Sequence, residues 1–317
     1  MNIRIGIIGA GAVAQHHLKV LASFDDVTLS ALANRNPDRR KETAETFSIP
    51  TTYGTHEEML EQESLDALLV LTSADTIYPI TKSLIPKGLP LLIEKPAGRT
   101  AAETRELAEL ARQSATRVMV GYNRRFYSVI NAARRAIEER GILHGIAMDA
   151  PERIDAVRAL GKFSDSLIED WLVLNGTHGL DLLRYLGGDI AAARAFHQSF
   201  QEKHGDNFGA VLSYVNGTIG HYLSHWNSPG RWQLTLYGTG VRARLEPIEQ
   251  GTLLIGEESL PLPIDPIDTE YKPGFYAQAR YFIDRVRDGG AIERPACSID
   301  DAVGTMELAE LISGRSA

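Results

Sequence analysis

A glycine-rich turn near the amino end constrains this chain more than any other feature. It follows the apolar run Ile3–Ile8, which predicts a strand, and it leads into Val13–Leu21, which predicts a helix. In this setting Gly9 permits a tight turn, Gly11 lets the backbone approach a pyrophosphate, and Ala14 keeps the helix close to the strand. Backbone amides at the start of the helix favour negative charge there. The segment therefore predicts a dinucleotide-binding βα unit.

The first 121 residues alternate apolar runs with amphipathic segments, which is typical of a parallel sheet covered by helices. Leu65–Leu71 is almost continuously apolar, as expected for a strand that is buried on both faces. Further strands are predicted at Val27–Ala33, Leu89–Ile93 and Arg117–Gly121. Helices are predicted from Asn36 to about Phe47, at Ile77–Pro86 and at Thr100–Gln113.

The pattern changes after Gly121. Asn216 and Gly217 lie between two strand-like runs, which is the strongest hairpin signal in the chain. Helices are predicted at Arg124–Arg140, Thr177–Leu186, Phe275–Arg287 and Asp300–Ile312. We therefore predict an α/β protein with a Rossmann domain on a parallel sheet at residues 1–121. An α+β domain with a largely antiparallel, open sheet follows at residues 122–317, and its C-terminal helix can pack back on the first domain.

Charge and composition exclude several classes of protein. The net charge is −8 and no long basic run is present, which argues against nucleic-acid binding. No apolar stretch approaches the roughly 18 residues that span a membrane. Because the sequence enters a strand directly, without a signal peptide, we expect a cytoplasmic protein. Cys297 is the single cysteine, so an intrachain disulfide and a cysteine zinc cluster are excluded and no metal is expected.

The end of the second predicted strand bears on the choice of cofactor. In a NAD-binding unit this strand usually ends in a carboxylate that binds the ribose hydroxyls. Here it ends in Asn34 and Arg35, which suit a 2′-phosphate, and Arg39 adds a second positive charge one helical turn later. We therefore predict NADP as the preferred cofactor, with NAD as the alternative.

The segment Glu94–Pro96 follows another predicted strand at its carboxyl end, where open α/β sheets bind their ligands. A partly desolvated lysine at that edge can lose pKa units and act as a general acid or base. Pro96 makes a cis Lys95–Pro96 bond accessible. Taken alone, a lysine after a strand is also compatible with a plain surface position.

Four motifs occur together in a characteristic order. They are the segments Gly9–Ala14, Glu94–Pro96, Gly121–Phe126 and Gly176–Asp181, and together they resemble the glucose–fructose oxidoreductase, inositol dehydrogenase and MocA family (Gfo/Idh/MocA). The resemblance is good over residues 1–130 and fair over residues 170–190. It implies an NAD(P)-dependent oxidoreductase that acts on a sugar, cyclitol or sugar nucleotide at an alcohol or ketone carbon. It also implies a homo-oligomer, a dimer or tetramer, formed through the open sheet.

The resemblance also implies roles for individual residues. Lys95 matches the lysine that exchanges a proton with the reacting hydroxyl or ketone, and His178 matches the histidine that assists it. The cofactor-binding residues are then Gly9, Gly11, Ala12, Val13, Asn34, Arg35, Arg39, Thr72, Ser73, Glu94 and Lys95. The substrate-binding residues are then Tyr122, Asn123, Arg153, Trp171, Asn175 and His178.

One departure from the family bears on the reaction. Relatives often carry an aspartate four residues before the histidine, and here that position is Leu174. Asp181 follows His178 by three residues and can share a helical face with it. There are two rival functions, and the missing aspartate favours the first. One is a non-catalytic nucleotide-binding regulator of the same family, and the other is an enzyme that cleaves glycosides with the help of a redox step.

Overall fold

The computed structural model describes residues 2–315 of the chain. Its strands are, in chain order, β1 (Ile3–Ile8), β2 (Val27–Ala33), β3 (Thr51–Tyr53), β4 (Ala67–Val70), β5 (Leu91–Ile93), β6 (Val118–Val120), β7 (Leu143–Asp149), β8 (Ile190–Gln198), β9 (Asn207–Tyr214), β10 (Ile219–His225), β11 (Gln233–Gly238), β12 (Val241–Leu245), β13 (Gly251–Ile255), β14 (Glu258–Pro261) and β15 (Cys297–Ser298). Its α-helices are α1 (Ala12–Leu21), α2 (Pro37–Phe47), α3 (His56–Gln62), α4 (Ala74–Leu84), α5 (Ala101–Gln113), α6 (Ser128–Glu138), α7 (Ile154–Ala159), α8 (Asp165–Glu169), α9 (Thr177–Gly187), α10 (Ile267–Glu270), α11 (Phe275–Asp288) and α12 (Ile299–Ser313).

The chain forms two compact units. The first takes in the chain up to Phe126 together with Ile267–Val303, and the second takes in Tyr127–Pro266 together with the chain from Gly304 onward. The prediction had assigned all of residues 122–317 to the second domain. The difference arises because α11 packs on α1 and β1, and because β15 pairs with β6. The helix α12 begins in the first unit and continues in the second.

The first unit is built on a sheet with the strand order β15-β6-β5-β4-β1-β2-β3, within residues 2–315. All neighbours are parallel except β15, which runs antiparallel to β6. One hydrophobic core lies on the face of Ile5 and Ile7, which are fully buried against α1 and α11. A second core on the opposite face includes Ile8, Leu68 and Leu107. The central strands are buried on both faces, as expected for a parallel sheet.

Strand order reverses at β1, since β2 lies on one side of it and β4 on the other. Open α/β sheets bind their ligands beyond the carboxyl ends of the strands at such a reversal. The topology of the first unit therefore places its ligand site beside the glycine-rich turn.

The second unit contains a sheet with the order β14-β13-β12-β11-β7-β10-β9-β8. Its pairs are antiparallel except for β7 with β10. The helices α6 and α9 cover one face, and Gly179 allows α9 to approach Met148 and Tyr222 closely. The opposite face carries exposed apolar side chains from β8, β9 and β10, namely Phe196, Val211, Ile219 and Leu223.

Most elements with strong local signals were predicted correctly. Thr100 caps α5 through its side chain, and Asn216 and Gly217 form the turn between the antiparallel strands β9 and β10. The predicted helix Arg124–Arg140 was wrong as one element, because it divides into a 3₁₀ turn at Asn123–Phe126 and α6. The turn is held in the first unit by the fully buried Arg125, whose guanidinium donates to the Ala296 carbonyl at 3.2 Å and pairs with Asp301 at 2.7 Å.

Asp26 anchors α11 to the first segment of its unit, and this contact predicts a pH-dependent stability. Its carboxylate accepts a hydrogen bond from Arg280 at 3.0 Å and another from Arg287. The hydrogen bond from Arg280 is the main reason that the Asp26 pKa falls from 3.8 to about 2. Because the folded-state pKa is depressed, the contribution to stability is present above pH 3.8 and is lost as the pH falls toward 2.

We expect Asp26→Asn to destabilise the fold by about 1 kcal/mol at neutral pH, since the carboxylate is about one third exposed and is screened by solvent. This corresponds to a fall in Tm of about 3 °C. Thermal melts from pH 7 to pH 2 measure the effect, and the two Tm values are expected to converge below pH 4. Asp25→Asn, at the exposed neighbouring residue, is the matched control. A difference in Tm that persists at pH 2 would contradict this assignment.

Candidate functional site

The glycine-rich turn has different requirements at its two glycines. Gly9 has a φ of +106°, and a Cβ atom there would lie 2.5 Å from the carbonyl oxygen of Leu71. Gly11 caps α1 with an extended backbone, and a Cβ atom there would have no heavy atom within 4 Å. Only glycine therefore fits at position 9. At position 11 the space next to the start of α1 is open, which suits a pyrophosphate that approaches the backbone amides.

Two guanidinium groups follow the end of β2, on Arg35 and on Arg39. Two hydrogen bonds hold Asn34 in place. Its backbone N–H donates to the Tyr53 carbonyl at 3.1 Å, and its side-chain Oδ1 accepts from the N–H of Asn36 at 3.2 Å. Arg35 and Arg39 are exposed, and among the described residues neither guanidinium makes a hydrogen bond or an ion pair. Both charges are therefore available to an anionic ligand.

These features line one cavity of about 560 Å³ in the first unit. Of the residues predicted to bind the cofactor, it brings together Gly9, Gly11, Asn34, Arg35, Arg39, Thr72 and Ser73. Ala12, Val13, Glu94 and Lys95 are not among the residues that line it. The glycine-rich turn and the ends of β2 and β4 therefore line the same cavity.

Sequence reasoning missed the part of this cavity that follows β3, which consists of Gly54, Thr55, His56 and Glu57. The strand β3 has three residues, too few to give a clear alternating pattern. A signal was nevertheless present: Thr55 and Glu58 form a capping box at the start of α3.

Thr72 and Ser73 lie between β4 and α4. Ser73 is the N-cap residue of α4, and its hydroxyl is 3.2 Å from the hydroxyl of Thr76. The hydroxyl of Thr72 is buried and has no hydrogen-bond partner among the described residues. Because an unsatisfied buried hydroxyl is unfavourable, this group is suited to bind a ligand that enters the cavity.

Glu94 and Lys95 follow β5 directly. The Glu94 carboxylate is buried, and its Oε1 lies 2.8 Å from Nε2 of the buried His17 on α1. Burial alone raises the Glu94 pKa, but the hydrogen bond with His17, the positive charge of Lys95 and the hydrogen bond from the Lys95 backbone N–H hold it below its usual value. The Lys95–Pro96 peptide bond is cis. Glu94 is therefore a carboxylate held in its charged form next to Lys95.

Tyr122 and Asn123 follow β6 and are both buried in the first unit. Tyr122 belongs to the core that contains Leu107, and Asn123 donates its side-chain amide to the Pro273 carbonyl at 2.9 Å. Within this unit neither side chain lies on an open surface. Their predicted role in binding substrate therefore stays a prediction.

In the second unit, Trp171, Asn175 and His178 lie on consecutive turns at the start of α9 and in the π-helical segment before it. His178 is mostly buried, and the indole N–H of Trp171 is buried without a hydrogen-bond partner among the described residues. Asn175 donates its amide to Glu152 Oε1 at 2.6 Å. Glu152 is a polar neighbour that the sequence did not single out, because it lies in the segment that follows β7, a strand that was not predicted.

Three further positions that the sequence singled out differ in their surroundings. Arg153 has two thirds of its side chain exposed and lies 3.9 Å from Asp155. The Asp181 carboxylate accepts a hydrogen bond from the Thr305 hydroxyl at 3.4 Å. Leu174 is buried in the π-helical segment, and its backbone N–H donates to the Asp170 carbonyl at 2.9 Å.

Comparison with protein families gives the affiliation of the chain. Residues 3–122 match the family model described as "Oxidoreductase family, NAD-binding Rossmann fold", and residues 159–244 match the "GFO/IDH/MocA C-terminal domain". The chain belongs to the Gfo/Idh/MocA oxidoreductase family. The predictions of the family and of an NAD-binding oxidoreductase fold are therefore confirmed.

Named relatives of this Gfo/Idh/MocA protein include dehydrogenases. The myo-inositol 2-dehydrogenase of Thermotoga maritima is 27% identical over 329 residues, which covers 96% of this chain and 93% of the relative. The rhizopine catabolism protein MocA of Rhizobium meliloti is 29% identical over 187 residues, which covers 59% of this chain and 58% of the relative. The match to MocA thus spans little more than half of either protein.

The solved structure of levoglucosan dehydrogenase in complex with NADH superposes with a TM-score of 0.86. It shares 17% identity with this chain and covers 99% of this chain and 97% of its own. At this identity the likeness establishes the fold, a Rossmann domain followed by a domain with a mostly antiparallel sheet. Among residues 2–315, no helix has both the length and the apolar character needed to cross a membrane.

Proposed function

We propose that this protein is an NADP-preferring oxidoreductase that interconverts an alcohol and a ketone on a sugar, cyclitol or sugar nucleotide. The observation that carries the proposal is the cavity at the carboxyl ends of β1, β2 and β4. It combines the open space at Gly11 with the guanidiniums of Arg35, just after β2, and Arg39, on α2, neither of which has a partner among the described residues. The names of the relatives support the substrate class, since inositol and levoglucosan are polyhydroxylated compounds.

The residues of the cavity fit a dinucleotide. The amides at the start of α1 and the gap at Gly11 suit the pyrophosphate, and the hydroxyl of Thr72 is available for a further hydrogen bond. Arg35 and Arg39 suit a 2′-phosphate, because guanidinium groups bind phosphate oxygens in pairs. When bound, the cofactor supplies the nicotinamide that accepts or donates a hydride.

Lys95 and His178 are proposed to handle the proton. A carbinol carbon gives up hydride readily only while its O–H proton is removed, so a base is needed at the hydroxyl. A positive charge next to the developing alkoxide also lowers the barrier. Lys95 supplies both functions, because its neutral form accepts the proton and its charged form stabilises the oxygen. In the reverse direction the same ammonium donates the proton to the ketone oxygen.

The second unit offers groups that suit a polyhydroxylated substrate. The indole N–H of Trp171 is buried without an acceptor among the described residues, and Asn175 and Glu152 form a polar pair. Hydroxyl groups of a sugar or cyclitol can accept from the indole and exchange hydrogen bonds with the amide and carboxylate. We propose that these three residues contribute to substrate binding.

Cofactor choice is tested at Arg35. We expect Arg35→Ala to weaken NADPH binding by at least about tenfold, because one of the two groups proposed for the 2′-phosphate is lost. NADH binding is expected to change less than about twofold, since this cofactor has no 2′-phosphate. Calorimetric titration with both cofactors measures the effect. The control is Lys41→Ala, which removes an exposed positive charge from α2, the helix that follows Arg35, without touching the cavity. Equal losses for NADPH and NADH would remove the phosphate assignment.

The exposed face of the second sheet is proposed to form contacts between copies of the chain. Phe196, Val211 and Ile219 are each more than half exposed on this face. Such apolar patches on one sheet face mark interaction surfaces. Sedimentation analysis is expected to show a dimer or tetramer, and Val211→Glu is expected to dissociate it. A monomeric parent protein would contradict this proposal.

A further inference from the structure

The imidazole of His17 is a polar group in the core of the first unit that the proposed reaction does not use. It is 1% exposed and packs against the ring of Phe275, with the ring centres 4.7 Å apart. Its Nδ1 is buried and has no hydrogen-bond partner among the described residues, whereas its Nε2 lies 2.8 Å from Glu94 Oε1. A hydrogen on Nδ1 would have no acceptor, so the hydrogen on Nε2 is favoured and the ring donates to Glu94.

The two oxygens of the Glu94 carboxylate accept hydrogen bonds from two different parts of the chain. Oε1 accepts from His17 on α1, and Oε2 accepts from the backbone N–H of Lys95 at 3.3 Å. Gly121 leaves room for this arrangement, since a Cβ atom there would lie 3.2 Å from Glu94 Oε1. A buried carboxylate with its oxygens engaged in this way has little freedom to rotate.

We infer that His17 is a positioning residue, which acts through Glu94 to fix the backbone at Lys95. This inference rests on the proposed role of Lys95. The helix that carries His17 also begins at Gly11, where the pyrophosphate is proposed to bind. The helix α1 then has two roles. Its first turn sets the position of the cofactor, and His17 on its inner face sets the main chain at Lys95.

Other charged groups also face this carboxylate. The ammonium of Lys272 lies over the ring of Phe275, 5.0 Å from the ring centre. Partial desolvation lowers the Lys272 pKa, while the charge of Glu94 opposes that effect and Arg124 adds to it. Variants at His17 are therefore compared in a background in which Lys272 and Arg124 are unchanged.

The experiment compares substitutions at two adjacent histidines of α1. His17→Leu removes the donor to Glu94, and His17→Gln keeps a donor N–H in the place of Nε2. His16→Leu is the matched control, because His16 is on the same helix and its ring also contacts Phe275. Each protein is titrated calorimetrically with NADPH, assayed for kcat and KM with a polyol substrate, and checked by thermal melting.

We expect His17→Leu to lower kcat by about 10- to 100-fold, as displacement of a reacting group does. The cofactor Kd and the substrate KM are expected to stay within about threefold of the parent values, because neither binding site is altered. His17→Gln is expected to recover most of kcat, and His16→Leu is expected to behave like the parent. A kcat unchanged in a folded His17→Leu protein would overturn the inference, as would a loss that His17→Gln fails to recover.

A second readout does not depend on turnover. Reductive methylation with ¹³C-formaldehyde labels lysines, and the Lys95 signal is assigned by its absence in Lys95→Arg. Its NMR titration midpoint is expected to fall in Glu94→Gln and in His17→Leu, since a fixed nearby carboxylate favours the ammonium form. It is expected to be unchanged in His16→Leu. An unchanged midpoint in His17→Leu contradicts the inference even if no polyol is turned over. Lack of turnover in the parent protein would instead count against the proposed function alone.

Discussion

Replacement of Lys95 by alanine is expected to lower kcat about a thousandfold while the NADPH Kd stays within about twofold, in line with the loss of a general acid–base group. The reason is that the alanine protein has no group at this position to take the hydroxyl proton or to stabilise the alkoxide. The Glu94 carboxylate beside it remains, but it is held in its charged form by His17 and is not placed to replace a cation. Steady-state kinetics together with calorimetric titration of the cofactor measure the two effects separately.

Two further variants sharpen this test. Lys95→Arg keeps the positive charge but cannot release its proton near neutral pH, so its kcat is expected to stay as low as that of the alanine protein. Lys87→Ala removes an exposed lysine of the same unit and is expected to have parent activity. A kcat above a tenth of the parent value in Lys95→Ala would contradict the assigned role, and an equal loss in Lys87→Ala would show that the effect is not specific.

Alanine substitutions at the two glycines of the amino-terminal turn are expected to affect different properties: stability at Gly9 and cofactor binding at Gly11. Gly9→Ala places a Cβ atom 2.5 Å from a backbone oxygen at a φ of +106°, so we expect a loss of about 3 kcal/mol in the free energy of unfolding. The corresponding fall in Tm is about 10 °C. Gly11→Ala meets no atom within 4 Å and has an ordinary φ of −82°, so its Tm is expected to match the parent.

Cofactor binding is expected to fail in Gly11→Ala although the protein folds normally. The added methyl group fills the space that the pyrophosphate needs in order to reach the amides of α1, and a loss of at least about tenfold in NADPH affinity is expected. Thermal melting and calorimetric titration of the same preparations separate folding from binding. Parent-like affinity in Gly11→Ala would show that the cofactor does not approach the turn as proposed.

Local chemistry made much of the fold predictable. The glycine turn, the Thr100 cap and the hairpin at Asn216 and Gly217 each depend on neighbouring residues, and each was read correctly from the sequence. The assignment of Ile267–Val303 to the first unit was not predictable in this way. It depends on α11 packing against α1 and on β15 pairing with β6, which are contacts between distant parts of the chain.

In the candidate site, too, features that depend on neighbouring residues were predictable, and contacts between distant residues were not. Arg35 and Arg39, which line the cavity, could be predicted because Arg35 follows the end of β2 closely and Arg39 lies one helical turn later, on α2. The pairing of His17 with Glu94 joins residues 77 positions apart, and neither residue carries a local signal for it. The buried positions of Tyr122 and Asn123 likewise depend on tertiary packing. Sequence patterns therefore located the ends of strands, while the partners of each side chain required the structure.

The most direct test of the account is calorimetric titration of the purified protein with NADPH and with NADH. NADPH is expected to bind at least about tenfold more tightly than NADH, because Arg35 and Arg39 have no other partner among the described residues and suit the 2′-phosphate. A clear preference for NADH, or binding of neither cofactor to protein stripped of bound nucleotide, would contradict it.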